Sequence, residues 1–192
     1  MANVNDFVNR LSGGGARANQ FQVRLAGPGV DTETLSFLCR SATLPASTIG
    51  EVPVPFRGRI VYVAGERTFA DWTVTVFNDA GWTVRGQLEN WSNTIMDQGA
   101  TTGGAQSPGA YYGEADIMQL SRNEAVIWQA HLYSVWPTNI AEIALSYDTN
   151  DVVEEYDCTF RFNYMTTGPT GTGVGTASVS YTHLTLPTNR EV

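Results

Sequence analysis

"ERTFADWTVTVFND", residues 66–79, alternates strictly at its centre. Trp72, Val74 and Val76 fall on one side and Thr73, Thr75 and Phe77 on the other, which is the period of a β-strand. The first set is expected to face a core. The second is two β-branched threonines and a phenylalanine, a surface that could face solvent or be covered by a partner, and alternation alone does not choose between them.

Other stretches share this period. Tyr156, Cys158, Phe160, Phe162 and Tyr164 alternate with Asp157, Thr159, Arg161 and Asn163. Phe21, Val23 and Leu25 alternate with Gln22 and Arg24. Leu35 to Cys39, Ile60 to Val63, Val126 to Trp136, and the set Ile143, Leu145 and Tyr147 also read as strands. Residues 43–59, "TLPASTIGEVPVPFRGR", contain three prolines. Proline donates nothing to a sheet ladder, so this run is expected as an extended excursion or edge strand. Two segments have the helical period instead. Val84, Leu88, Trp91 and Ile95 form one stripe within 79–96, with Asn78 or Asp79 as the N-cap. Val4, Phe7, Val8 and Leu11 form a short one, stopped by Gly13 to Gly15 and too short to be stable without a partner surface. Residues 97–113 read as a loop and 148–151, "DTND", as a turn. The expected fold class is therefore mainly β, a two-sheet β-sandwich or open barrel with one flanking α-helix and a short N-terminal helix.

The chain of 192 residues is long enough for one domain with a core. It has no apolar run of about 18 residues, and "MANVNDFVNR" lacks the pattern of a signal peptide, so the expectation is a soluble chain made in a cytosol, without membrane insertion. The formal charge of −8 argues against sequence-specific DNA binding, which needs a basic surface. That charge is unevenly spread. Residues 1–85 hold eight arginines against seven acids, a net of +1, whereas residues 86–178 hold two against eleven, a net of −9. Lysine is absent. Such asymmetry fits either a solvated acidic face or the meeting of one subunit's acidic side with another's arginines.

Catalytic and metal chemistry find little support. His131 sits in an alternating strand with no G-x-S-x-G element near it. Glu154 and Glu155 are adjacent on a strand and so point to opposite faces, which spoils them as a glycosidase pair. "DTND" lacks the spacing of a calcium loop, "GGGAR" at 13–17 lacks the Lys-Ser/Thr of a phosphate loop, and two distant cysteines with one histidine make no zinc pattern. Cys39 and Cys158 read as small buried hydrophobes. No catalytic residue, cofactor or metal is expected.

The C-terminal residues read differently. Val179 to Thr188, "VSYTHLTLPT", is the translation of GTC TCT TAT ACA CAT CTG ACG CTG CCG ACG, which resembles a transposon-type sequencing adapter, and Val192 fits its resumption before a stop. Residues 179–192, His183 among them, are set aside as non-native, and 167–178 are read as a flexible Gly/Thr-rich segment after a domain at 1–166.

Five collinear blocks carry a family resemblance: "GGGARANQFQV" (13–23), "CRSATLPASTIGEVPVPFRGR" (39–59), "VAGERTFADWTVTVFND" (63–79), "VWPTNI" (135–140) and "YDTNDVVEEYDCTFRFNY" (147–164). Together they resemble the major tail tube proteins of contractile-tailed bacteriophages of the T-even type. The resemblance implies a β-sandwich with a helix, without a catalytic site, forming a homo-hexamer that stacks into a tube in the virion after assembly in the host cytoplasm. In such a tube the subunits' sheets join around a channel. It implies as partners the tail sheath protein, the baseplate and tail terminator proteins, a tape measure protein in the lumen and transiently passing DNA. On that reading Phe7, Arg57, Arg59, Asp148, Asp151, Glu154 and Glu155 are candidates for contacts between subunits or rings. Two other readings stay open: the tube subunit of a non-viral contractile injection or type VI secretion system, and a carbohydrate-binding module using Tyr111 and Tyr112.

Overall fold

The computed structural model describes residues 3–10, 15–99, 104–105, 107–148 and 151–169. Leu11, Gly13 and Gly14 of the N-terminal reading, most of the Gly/Thr-rich segment and the adapter-like 179–192 lie outside the described residues. Two long antiparallel ribbons organise the fold. The first rises through β2 (Cys39–Ala42) and β3 (Ser47–Phe56) and returns through β4 (Arg59–Phe69) and β5 (Trp72–Phe77). Its register runs unbroken from Ala42↔Val74 to Ile49↔Arg67, bridged by Thr43 N–H to Thr73 O at 3.0 Å and Ala70 N–H to Ala46 O at 2.9 Å. Past Gly50 it shifts by one residue. The two backbones approach closely there, for a Cβ on Gly65 would stand 3.1 Å from the Gly50 carbonyl oxygen. The tip is a two-residue turn with both φ angles positive, 45° at Arg57 and 81° at Gly58, the type I′ geometry whose twist matches that of the strands.

The second ribbon pairs β7 (Val126–Ile140) with β8 (Glu155–Arg161) and β9 (Tyr164–Gly168). β6 (Gly113–Leu120) and β1 (Phe21–Ala26) add to the first half of β7, and β5 and β2 add to β8, giving the strand order β1-β6-β7-β8-β5-β2 with β9 beside β7. β7 thus belongs to two sheets, β1-β6-β7-β9 and β7-β8-β5-β2. It passes between them at Ser134, whose φ is 56°. The core lies between the sheets. Val23, Leu25, Leu132, Trp72, Val74 and Phe160 are among its fully buried side chains.

Three helices complete the chain: α1 (Val4–Arg10), α2 (Thr32–Leu38) and α3 (Thr83–Ile95). α3 buries Val84, Leu88 and Trp91, as its stripe predicts, while Ile95 is only half-buried. Trp91 fixes its position. The indole donates from Nε1 to Tyr111 O at 2.7 Å, lies 6.1 Å from the Phe160 ring, and seats against Gly27 and Gly113. A Cβ at Gly27 would meet the indole at 2.5 Å, and one at Gly113 would meet Ala26 O at 2.4 Å, so these glycines are present for space.

The expected class, a mainly β two-sheet fold with few helices, is what the chain adopts. Trp72, Val74 and Val76 face the core, all buried. Several local expectations need correction. Leu35 to Cys39 is mostly helix: Asp31 caps α2 by accepting from Glu33 N–H at 3.1 Å and Thr34 Oγ1 at 2.5 Å, and Leu35 is its buried residue. Ile143, Leu145 and Tyr147 form no strand. The carbonyl of Ala141 is taken by Arg85 Nη1 at 3.1 Å, and Leu145 and Tyr147 stand exposed on an irregular loop. β6 carries little strand signal in its sequence, because its inward Ala115 is small and Met118 interrupts its alternation. The N-cap position of α3 is Trp82, at φ 54°, with Asp79 accepting from Thr83 N–H at 3.0 Å and Asn78 turned to Glu154.

Candidate assembly surface

β3 and β4 project from the body as a two-stranded sheet, and every residue of β3 is exposed. In soluble proteins an unpartnered ribbon shows charge, but this one is apolar on both faces. Beyond the bulge, Val52, Val54, Phe56, Val61 and Val63 share one face, while Pro53, Pro55, Ile60 and Tyr62 share the other. Tyr62 is 61% exposed and Phe56 62%. Arg57 and Arg59 sit at the tip, with the Arg57 guanidinium 5.5 Å from the centroid of the Phe56 ring.

Two more apolar surfaces lie bare. α1 exposes Val4, Phe7 and Val8, with Phe7 65% accessible. The loop residues 141–148 and 151–154 expose Leu145, Tyr147, Val152 and Val153. Asp148 and Asp151 are exposed on that loop, while the two glutamates that follow are held within the subunit. Glu154 accepts from Asn78 Nδ2 at 2.8 Å, and Glu155 pairs with Arg40. The structure therefore separates the seven predicted contact residues into five on open surfaces and two already engaged.

Thr73, Thr75 and Phe77 lie half-buried on the outer face of β2, β5 and β8. α3 lies on the core side, its Val84, Leu88 and Trp91 buried in one cluster with Trp72, Val74 and Val76 of the opposite face of β5. Neighbouring strands furnish the outer face. Ser41 Oγ donates to Thr75 Oγ1 at 3.0 Å, Thr75 Oγ1 donates to Asp157 Oδ1 at 2.7 Å, and Arg40 lies 5.9 Å from the centroid of the Phe77 ring. On the other sheet His131 Nδ1 meets Asp116 Oδ1 at 2.6 Å, and Gln129 Nε2 donates to the same oxygen at 2.8 Å. Tyr133 stacks on Tyr164 with centroids 4.4 Å apart. Both faces are hydrogen-bonded sheet surfaces. Among the described residues no group of three or more His, Cys, Asp or Glu is placed to hold a metal ion. Tyr111 and Tyr112 pack on Trp136 rather than forming an open platform, with Tyr112 at 5.5 Å from the Trp136 ring. Both cysteines are free; burial pushes the Cys39 thiol up to about 11 and that of Cys158 further up.

A sandwich with open sheet edges, whose bare apolar surface is concentrated on a projecting ribbon, has the form of a structural subunit made for assembly. Comparison with known proteins identifies which one: the family model for phage tail tube proteins matches residues 16–167, and the chain belongs to that family of structural virion proteins. It is 36% identical over 155 residues to the tail tube protein gp19 of Enterobacteria phage T4, covering 80% of this chain and 92% of that one. It is 25% identical over 169 residues to the tail tube protein of Serratia phage KSP90, covering 84% and 95%. The same fold occurs in a chain of the extracellular contractile injection system PVC sheath-tube complex, with a TM-score of 0.58 at 13% identity over 80% of this chain and 91% of that one. A chain in the anti-feeding prophage cap has a TM-score of 0.60, also at 13% identity, over 80% and 91%.

Proposed function

We propose that the protein forms hexameric rings that stack into the inner tube of a contractile phage tail, the conduit for the genome. The observation that carries this reading is the β3–β4 ribbon. An apolar two-stranded sheet bare on both faces is marginal alone in water, and a neighbouring copy is the partner always at hand. Ring closure also removes open sheet edges, as a barrel does. The tail sheath protein would surround the tube, the baseplate and tail terminator proteins would hold its ends, and a tape measure protein would fill the lumen before DNA passes.

The charge distribution supports the same reading. A wall with an acidic surplus lets polyphosphate slide, whereas a basic wall would bind it through counterion release. Arg57 and Arg59 at the ribbon tip are the cations available to meet Asp148 and Asp151 of another copy, and Phe7 on α1 is an apolar contact between rings. Glu154 and Glu155 serve mainly to hold the subunit's own strands. The experiment is negative-stain microscopy of the purified full chain across protein concentration and salt. Rings of sixfold symmetry and tubes are expected, and a population that stays monomeric with an independently supplied baseplate present would sink the reading.

A further inference from the structure

A cleft of about 290 Å³ opens where β4 parts from the body, beside the bend between β8 and β9. Arg67 and Phe69 line it from β4, Trp136 from β7, and Arg161, Phe162 and Asn163 from the bend. Phe69 packs on Phe162, centroids 5.5 Å apart, and Asn163 N–H donates to Tyr133 O at 3.1 Å, which holds the bend against β7. Trp136 and Phe69 are half-buried, whereas Arg67 and Arg161 are exposed, so the floor is aromatic and the rim cationic. Arg67 Nη1 donates to Ser47 Oγ at 3.1 Å and Arg161 Nη1 to Asp71 Oδ1 at 2.5 Å. A guanidinium carries five N–H donors in a planar fork, so both keep donors for a carboxylate from outside. Even with Asp71 counted, the site has a cation in excess.

The segment that fits this cleft lies at the other end of β8. Asp151, Val152 and Val153 are all exposed, the two valines at 73% and 63%. A carboxylate followed by two bare aliphatic side chains matches a pair of arginines set above aromatic rings. The subunit cannot fill its own cleft in this way. The 7 residues of β8 span about 20 Å at about 3.3 Å per residue, with Arg161 at the far end. Asn78 Nδ2 holds Glu154 at 2.8 Å, and the chain from there back to Asp151 reaches about 10 Å at full extension.

We propose that the cleft is a socket for Asp151 of another copy, whose carboxylate lies between Arg67 and Arg161 while Val152 and Val153 cover the rings of Trp136 and Phe69. The contact is made by side chains of a loop entering a cleft and needs no pairing of strands. It rests on the tube reading and assigns one of the loop's two exposed aspartates, leaving Asp148 to the arginines of the ribbon tip. Plug and socket stand at opposite ends of one strand, so the contact is heterologous and each copy offers both to its neighbours. An ion pair enclosed in this way fixes which surfaces meet.

The test is a charge swap in the full chain. Arg67→Glu and Asp151→Arg, each alone, are expected to slow tube formation followed by light scattering by about tenfold or more, and the two together to recover most of that loss. Arg67→Glu with Asp148→Arg, which changes the net charge equally, is expected to recover none of it. Circular dichroism at low concentration checks that each variant folds. If Arg67→Glu does not, Arg67→Gln and Asp151→Asn carry the test, and both are expected to slow assembly. Single variants that assemble at the parent rate, or a swap no faster than its slower single, would overturn the socket and leave the tube standing. Equal recovery with Asp148→Arg would overturn it too, as an effect of bulk charge. Failure of the unsubstituted chain to form rings or tubes overturns both readings.

Discussion

Asp79 and Asp31 show how single carboxylates shape this subunit. The hydroxyls of Thr83 and Thr34 respectively, then backbone N–H groups at the helix starts, hold both carboxyls below their ordinary value of 3.8. A lowered folded-state pKa means that the contribution is complete above 3.8 and is lost as pH falls through the lower folded value. Thermal melts of the subunit are thus expected to drop below about pH 4, and Asp79→Ala and Asp31→Ala each to flatten that drop; an unchanged acid limb in both variants would contradict the capping roles. Deeper in, Trp91 fills a seat that Gly113 leaves open. Trp91→Ala is expected to cost about 3–5 kcal/mol in urea melts through the cavity it leaves, and Gly113→Ala about 1–3 kcal/mol through overpacking. Legibility varied residue by residue. Trp72 and Val74 announced their burial by alternation, but Thr75 did not announce its partners, since Ser41 and Asp157 reach it from strands 34 and 82 residues away.

At the scale of elements, the ribbon from Cys39 to Phe77 follows its sequence pattern only in part. Prolines at 53 and 55 correctly marked an edge, yet the run is a full strand of a hairpin, because β4 is there to pair with it and the prolines occupy the non-bonded pairs. Its turn depends on Gly58 at φ 81°. Gly58→Val is expected to cost the hairpin roughly 1–2 kcal/mol in the left-handed region. Since the ribbon lies outside the core, the thermal midpoint of the subunit should barely move while tube formation, followed by light scattering, slows markedly. Charge reversal at the tip separates the same two properties. Arg57→Glu with Arg59→Glu is expected to leave the fold intact by circular dichroism and to shorten or abolish tubes in micrographs; unchanged tube length would remove the tip from the stacking contact. The misread elements have one cause in common. Leu35 and Ile143 lie in short apolar runs whose period fits either state, and the choice fell to a cap at Asp31 and to an Arg85 bond at Ala141.

At the scale of the whole molecule, the single copy leaves large apolar side chains bare on the ribbon, on α1 and near Leu145 and Val152. Its apolar ribbon and helix α1 are bare in the single copy, so association should raise the melting temperature in a concentration-dependent way, measurable by calorimetry on either side of the assembly threshold. If arginine-to-acid contacts steer the stacking, assembly measured by light scattering should weaken between low and high salt, because exposed pairs are screened at about 10 Å at 0.1 M ionic strength. From the amino-acid order alone came the β class, the inward face of β5, the stripe of α3, the acidic second half and the family resemblance, all of which depend on periods and blocks read within a short span of chain. Tertiary structure decided the rest: that β7 serves two sheets, that β3 and β4 project from the body as a ribbon, that Glu154 and Glu155 are occupied and that α3 packs on the core side of β5. Those are relations between segments far apart in the chain, and a strand's own alternation carries no information about which distant edge will meet it.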